Sequence, residues 1–169
     1  PSLDVYRPIR VIMAELQVGD TAPDFTAFVT DGTEITLSKI LSSGEGVILY
    51  FYPRDSTPGC TVQACDFRDS FARFSGSGWR VIGVSTDSAS SHQKFTNKHE
   101  LPFELIVDEE ASLHEAYDTW REKNMYGKKY MGTLRSTFAI SPDGSLKWVK
   151  YKVSPKGHVE QLLSDLEVN

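Results

Sequence analysis

The chain has 169 residues and a formal net charge of −5, with 40% hydrophobic and 24% charged residues. This length and composition are typical of one globular domain with a sizeable core. The excess of acidic groups argues against nucleic acid as a partner, and no apolar run approaches the roughly 20 residues that a membrane-spanning helix needs, so we expect no membrane partner either.

The first residues differ from the rest of the chain. Residues 1–13 contain no clear secretory signal, and Met13–Ala14 resembles a natural start. We interpret residues 1–13 as a leader or a segment added for expression, and residues 14–169 as one domain. Two cysteines are too few for a secreted disulfide scaffold, so we predict a cytoplasmic protein. Arg7 and Arg10 leave an organelle stroma as the alternative, if residues 1–12 are the remnant of a transit peptide.

Apolar and turn patterns predict strands and helices that alternate along the chain. In chain order they predict a hairpin of strands 25–29 and 34–37, a helical turn 37–41, a strand 47–52, a helix from about 58 to 74, a strand 80–85, a helix 88–99, a strand 103–107, a helical segment 111–117, a hairpin of strands 136–140 and 146–151, and a helix 157–166. Residues 118–133 are punctuated by glycines and are predicted to be irregular. This order indicates an α/β, thioredoxin-like fold, with a mixed central sheet, helices on both faces and an N-terminal β-hairpin.

Both cysteines of the chain, Cys60 and Cys65, follow the predicted buried strand 47–52. Thr57 is suited to the N-cap of the next helix, and Pro58 then takes the first helical position, where its missing N–H costs nothing. Cys60 falls in the first turn, where unpaired backbone N–H groups and the positive end of the helix dipole favour a thiolate over a thiol. The sequence therefore predicts a reactive cysteine at position 60.

Helical winding places the two cysteines on different faces. Four apolar residues fall within about 40° of Cys60 at 100° per residue: Ala64, Phe67, Phe71 and Phe74. Cys65 lies about 140° round the helix and about 7.5 Å further along it, so the two Cα atoms are roughly 8–9 Å apart, beyond the roughly 7 Å limit for a disulfide. Bonding them requires the first turns to unwind, which would couple oxidation to local unfolding.

Three other interpretations of the cysteine pair compete with a reactive thiol. Two cysteines in a helix are often just small buried hydrophobic residues. The C-x₄-C spacing is not that of a zinc motif, and the histidines are scattered singly: His92, His99, His114 and His158. The C-x-x-C spacing of a thioredoxin-type redox pair is absent. The position of Cys60 at a helix N-terminus favours the reactive thiol.

The motif Pro53-x-x-x-Thr57-x-x-Cys60 resembles the peroxiredoxin signature. The longer run over residues 51–69 resembles the bacterioferritin comigratory protein, or peroxiredoxin Q, subgroup. Three more segments look like that subgroup: residues 19–25, 122–128 and 135–138. The likeness extends from about residue 14 to the C-terminus. It implies a thiol peroxidase on a thioredoxin-like fold that reduces hydrogen peroxide and organic hydroperoxides.

The resemblance also implies a role for each motif residue. Cys60 would be the peroxidatic cysteine that becomes a sulfenic acid, and Cys65 would resolve it as an intramolecular disulfide. Arg135 would hold the thiolate and the peroxide together, as a guanidinium fork can. Thr57 would offer its hydroxyl to the peroxide, and Pro53 would shield the thiolate. The implied reductant is thioredoxin or a glutaredoxin-like dithiol donor, the implied state is a monomer, and neither a cofactor nor a metal is implied.

A group of basic and aromatic residues lies in the predicted irregular segment: Lys123, Tyr126, Lys128, Lys129 and Tyr130. It is interpreted as a solvated loop, with the rim of the active site or a docking face for the reductant as the alternative. Two rival functions for the whole chain stay open. One is a dithiol oxidoreductase that reduces protein disulfides, and the other is a non-catalytic binding or holdase protein on the same scaffold.

Overall fold

The structure is a computed structural model that describes residues 15–169, so the predicted leader at 1–13 lies outside the described residues. In chain order the elements are β1 (Thr26–Phe28), β2 (Glu34–Thr36), α1 (Leu37–Ser42), β3 (Gly46–Phe51), α2 (Pro58–Asp69), α3 (Phe71–Gly76), β4 (Trp79–Ser85), α4 (Ala89–His99), β5 (Glu104–Val107), α5 (Ser112–Ala116), β6 (Trp120–Met125), β7 (Lys128–Thr133), β8 (Ser136–Ile140), β9 (Leu146–Tyr151) and α6 (His158–Asp165). Within residues 15–169, no helix has both the length and the apolar character needed to span a bilayer.

The central sheet of the described residues has the strand order β5-β4-β3-β8-β9. β3 pairs in parallel with β4 and antiparallel with β8, which confirms the predicted mixed sheet. The side chains of β3 alternate between two cores. Ile48 and Tyr50 join the core under α2, α3, α4 and α6. Val47 and Leu49 join the core under α1 and α5. Helices therefore cover both faces of the sheet, and the buried central strand leads directly to the cysteine segment.

The N-terminal hairpin is present as predicted, since β1 pairs antiparallel with β2. The helix predicted over 58–74 is instead two helices, α2 and α3, that meet at Ser70. Ser70 has φ −103° and ψ 6°, and its carbonyl accepts from the backbone N–H groups of Arg73 and Phe74. Serine competes with helical backbone hydrogen bonds and favours helix ends, which accounts for the break. Phe74 is nevertheless fully buried, so the apolar spacing continues across the joint.

The prediction of an irregular segment at 118–133 is wrong. β6 and β7 form an antiparallel hairpin whose turn, Tyr126–Gly127, has φ values of 53° and 82°. Two consecutive positive φ values are typical of the tight turns that match the twist of a hairpin. Most of the hairpin is exposed, so its strands lack the alternation of apolar and polar residues that reveals a half-buried strand. We call residues 120–133 the hairpin arm.

Candidate active site

Cys60 lies in the first turn of α2, as the sequence predicts. Thr57 occupies the N-cap position and Pro58 the first helical position. Cys60 is only 2% exposed, and its thiol is not bonded to another cysteine. It belongs to the same core as Tyr50 and Ala64. The sulfur therefore lies at a helix N-terminus yet is largely screened from solvent, which strengthens any charge interaction made with it.

Arg135 is brought to Cys60 by the pairing of two strands. Phe51 at the end of β3 pairs with Ser136 at the start of β8, so Arg135 stands beside the loop that follows β3. Its Nη2 donates a hydrogen bond to the Cys60 sulfur at 3.3 Å, and its Nη1 donates to Gln63 Oε1 at 2.7 Å. One end of the guanidinium fork thus holds the sulfur while the other is fixed by an amide oxygen.

Gly59 leaves room for this guanidinium. A Cβ atom at position 59 would stand 3.4 Å from Arg135 Nη2 and 3.1 Å from Cγ of Pro155. The second contact is tight enough that Pro155 would have to shift. A side chain at position 59 would therefore crowd the space that the Arg135 guanidinium and Pro155 occupy beside the first helical turn.

Gln63 is a site residue that the sequence analysis missed. It is fully buried, and its amide oxygen accepts the hydrogen bond from Arg135. Its amide nitrogen has no hydrogen-bond partner among the protein atoms of residues 15–169. The available signal was its spacing, because a polar residue three positions after Cys60 lies beside it on the same helix face.

Thr57 and Pro53 are both in the loop that carries the motif, but their predicted roles are not visible in their contacts. The Thr57 hydroxyl does not cap α2; it donates to the carbonyl of Arg54 at 2.8 Å. Thr57 and Pro53 are both half-buried, at opposite ends of this loop. The N-cap position of Thr57 is confirmed, whereas its expected side-chain cap is wrong, because the hydroxyl closes the preceding turn instead.

Cys65 lies on a different side of α2 from Cys60, as the helical winding predicts. It is half-buried and not bonded to another cysteine. Its sulfur is 3.8 Å from Nδ1 of His99, the last residue of α4. Within the intact α2 helix the two sulfurs therefore contact different groups, Arg135 and His99, in different parts of the structure.

A buried hydrogen-bond network anchors the motif loop, residues 52–57, to the rest of the fold. The Asp55 carboxylate accepts hydrogen bonds from the hydroxyls of Tyr52 at 2.6 Å and Ser91 at 2.8 Å, and from His92 Nδ1 at 2.7 Å. His92 Nε2 faces the carbonyl of Ile106 at 2.9 Å. Since both neighbours are acceptors, both ring nitrogens donate and the ring is positively charged. Burial lowers the pKa of His92, but the hydrogen bond and charge of Asp55 outweigh it, and the pKa is raised.

This network also gathers three groups that could ligate a cation. Ligand atoms of Asp55, Asp87 and His92 lie within 4.8 Å of one another, although the sequence showed His92 only as an isolated histidine. Asp87 accepts hydrogen bonds from the Asp55 backbone N–H at 2.8 Å and the Ser85 hydroxyl at 2.7 Å. All three side chains are therefore engaged in hydrogen bonds within the protein. Their visible role is to fasten the motif loop to α4 and β4.

The hairpin arm reaches the neighbourhood of the site. Burial and then the charge of Arg135 lower the pKa of Lys123, while the charge of Cys60 opposes the shift. The tip of the arm exposes large apolar side chains: Met125, Tyr126, Tyr130 and Met131. The interpretation of this segment as a solvated loop is thus replaced by a partly apolar hairpin whose base lies close to Arg135.

Comparisons with known proteins by family model, by sequence and by structure agree with one another. The model of the AhpC/TSA family matches residues 18–149. The chain is 47% identical over 154 residues to Peroxiredoxin Bcp of Bacillus subtilis, covering 90% of this chain and 96% of that protein. A solved structure of Xanthomonas campestris peroxiredoxin Q is 38% identical, with a TM-score of 0.81 over 90% of this chain and 95% of that one.

A second solved structure from Xanthomonas campestris concerns the alkyl peroxide reduction activity of its bacterioferritin comigratory protein, with trapped intermediate and ligand complexes. It is 37% identical to this chain and has a TM-score of 0.81, over 92% of this chain and 98% of that one.

Proposed function

This chain belongs to the AhpC/TSA family, among the peroxiredoxins of the Bcp and Q type, and on that premise we propose how its site reduces hydroperoxides. The protein is a thiol peroxidase whose substrates are hydrogen peroxide and organic hydroperoxides. The observation that carries the assignment of its site is the hydrogen bond from Arg135 Nη2 to the Cys60 sulfur at 3.3 Å.

In the first step the Cys60 thiolate attacks one oxygen of the peroxide. The S–O bond forms and the O–O bond breaks, so the sulfur is oxidised to a sulfenic acid and the other oxygen leaves as water or an alcohol after taking up a proton. The Arg135 guanidinium stabilises the anionic sulfur before attack and the charge that develops on the oxygens during it. Gln63 keeps the guanidinium in place, and the Thr57 hydroxyl, three positions before Cys60, is proposed to contact the peroxide.

In the second step the Cys65 sulfur attacks the Cys60 sulfenic sulfur. The S–S bond forms, the S–O bond breaks, and the oxygen leaves as water. Cys60 is reduced by this exchange and Cys65 is oxidised, so no external reductant is consumed. Because both cysteines lie in the intact α2 helix and face different neighbours, the first turns of α2 must unwind before the sulfurs can meet.

In the third step a dithiol donor such as thioredoxin or a glutaredoxin-like protein reduces the disulfide. The partly apolar tip of the hairpin arm is the docking face we propose for it, because adaptable Met and aromatic side chains suit a protein partner.

Tyr126→Ala should slow turnover with thioredoxin and leave the oxidation of Cys60 unchanged. A matched control is Phe28→Ala, which removes an exposed aromatic ring from the N-terminal hairpin. Equal turnover of all three proteins would contradict the docking face.

Mass spectrometry after one equivalent of peroxide tests the proposed chemistry. The wild-type protein should contain a disulfide between Cys60 and Cys65, whereas Cys65→Ser should stop at a sulfenic or over-oxidised Cys60. Cys60→Ser should consume no peroxide. If Cys60→Ser retained full peroxide consumption, the proposed site would be wrong.

Reduction of insulin without peroxide consumption would favour the dithiol oxidoreductase, and a binding activity that survives in Cys60→Ser would favour the holdase.

The monomeric state, the cytoplasmic location and the domain boundary at residue 14 stay predictions.

A further inference from the structure

The environment of Cys65 holds an ionisable group that the mechanism above does not use. His99 Nδ1 lies 3.8 Å from the Cys65 sulfur, within the range of a hydrogen bond to sulfur. The two residues belong to different helices, α2 and α4, and stand 34 positions apart in the chain. An imidazole in contact with a thiol can take its proton and so convert it into the nucleophilic thiolate.

The position of His99 is defined by one contact to its backbone and one to its ring. Arg68, one turn of α2 beyond Cys65, donates from Nη1 to the His99 backbone carbonyl at 2.9 Å. The His99 ring packs edge-on against the fully buried ring of Phe95, with centroids 5.2 Å apart. His99 is therefore held between the two helices with its Nδ1 directed at the sulfur.

The part of α2 that follows Cys65 is anchored by contacts of its own. At the C-terminal end, Phe67 is fully buried and stacks on Tyr50 with ring centroids 4.5 Å apart, and Arg68 binds the His99 carbonyl. At the N-terminal end, the side chain of the N-cap residue Thr57 accepts no hydrogen bond from the helix. The contacts of Phe67 and Arg68 therefore hold Cys65 beside His99 independently of the first turns of α2.

We propose that His99 is the general base of the resolving step, a role that rests on the peroxidase function proposed above. His99 Nδ1 takes the proton of the Cys65 thiol as the sulfur attacks the sulfenic sulfur of Cys60. The S–S bond forms, the S–O bond breaks, the departing hydroxide takes up a proton from the solvent to become water, and the imidazolium of His99 returns its proton to the solvent. His99 touches the reacting Cys65 sulfur directly, so it acts as a catalytic residue in this step.

Charged residues lie near His99 on both α2 and α4. On α2, the guanidinium of Arg68 binds the His99 carbonyl and is itself paired with Asp69 at 3.0 Å. On its own element, Lys98 precedes His99 and Glu100 follows it as the left-handed cap of α4. In the described residues these charges flank the backbone of His99, while the contact of its Nδ1 is with the thiol.

The test uses His99→Gln, which keeps a polar side chain of similar reach but cannot act as a base near neutral pH. The matched control is Lys98→Gln, the same change at the neighbouring residue. Each protein receives one equivalent of hydrogen peroxide in a quenched-flow experiment, and alkylation followed by mass spectrometry counts the sulfenic acid and the disulfide separately. The series is repeated between pH 6 and pH 9.5.

We expect His99→Gln to form the sulfenic acid at the wild-type rate. Disulfide formation at pH 7 should be roughly 10²-fold slower, the size of a typical general-base effect. The difference should disappear above about pH 9, because an ordinary cysteine thiol ionises unaided near pH 8.5. Lys98→Gln should behave as the wild type does at every pH.

Two results would overturn the role of His99: a disulfide rate equal to wild type at all pH values, or a rate reduced equally at all pH values, which is the signature of a purely structural contact. If His99→Gln fails to fold, the pH dependence of disulfide formation in the wild-type protein serves as the test. A disulfide rate that levels off above about pH 7 supports the base, and one that keeps rising toward pH 8.5 contradicts it. A wild-type protein that forms no disulfide at any pH would refute the peroxidase mechanism itself, which distinguishes the two failures.

Discussion

Arg135 donates a hydrogen bond to the sulfur of Cys60 at 3.3 Å, although 75 positions separate the two residues in the chain. The contact depends on the antiparallel pairing of β8 with β3, which sets the start of one strand beside the end of the other. A charged donor at a screened sulfur favours the thiolate form of Cys60, which is the nucleophile in the proposed mechanism.

Replacing Arg135 with Gln should reduce the rate of Cys60 oxidation by roughly 10²–10³-fold, the usual loss when one charge-stabilising donor is removed from a site. Arg135→Lys keeps the charge but loses the fork, so its rate should lie between those of wild type and Arg135→Gln. Stopped-flow measurement with hydrogen peroxide gives the rates. Arg73→Gln, which removes an exposed arginine, is the control. A wild-type rate in Arg135→Gln would contradict the assigned role.

Gln63→Leu should weaken both activity and stability. The change removes the oxygen of the fully buried Gln63, which is the acceptor of Arg135 Nη1. A buried donor left without an acceptor lowers the free energy of unfolding by about 1–3 kcal/mol. We expect a lower free energy of unfolding in urea and a slower oxidation of Cys60, because the guanidinium is no longer held. Gln93→Leu on the exposed side of α4 serves as the control and should leave both quantities unchanged. If the two variants behaved alike, Gln63 would have no positioning role.

Disulfide formation should be accompanied by a loss of helix. The reduced protein contains the complete α2 helix of 12 residues, and its first turns must unwind before Cys60 can reach Cys65. Far-UV circular dichroism of the reduced and peroxide-treated protein measures the change, and Cys65→Ser treated in the same way should keep the reduced spectrum. Identical spectra of the reduced protein and of a protein whose disulfide is confirmed by mass spectrometry would refute the requirement for unwinding.

Acid should destabilise the protein through His158. Burial, followed by the charges of Lys150 and Arg135, lowers the pKa of His158 to about 4. Because this folded-state pKa lies below the unfolded value of about 6.5, the contribution of His158 to stability is complete above about pH 6.5 and is lost as the pH falls toward 4. The full loss amounts to about 3 kcal/mol.

Urea unfolding of wild type and His158→Gln at pH 7 and pH 4.5 isolates this effect, since carboxylates titrate in both proteins. Wild type should lose more stability than His158→Gln over this interval. An equal loss in the two proteins would show that His158 is not responsible.

Local signals predicted the centre of the site well. Thr57, Pro58 and Cys60 occupy the helix positions that their residue types indicate, because a helix N-terminus is decided by a few consecutive residues. The sheet and its flanking helices also follow from local apolar patterns. The role of Arg135 came only through a family resemblance, since no periodicity reveals which strand end meets the cysteine.

The misses share physical causes. The break at Ser70 leaves the apolar spacing intact, so the pattern of Phe67 and Phe74 does not reveal it. The hairpin arm is largely exposed and lacks an apolar alternation. The contact between Cys65 and His99 joins two separate helices, and a sequence read element by element gives no distance between them.

The joint at Ser70 has a consequence for the energetic cost of each catalytic cycle. Because α2 ends there and α3 begins anew, the unwinding proposed for the first turns of α2 lies in a different helix from Phe74, which is packed in the core. Ser70 therefore separates the helix that opens in the proposed cycle from the helix that holds Phe74, so the opening of the active site does not require α3 to unfold.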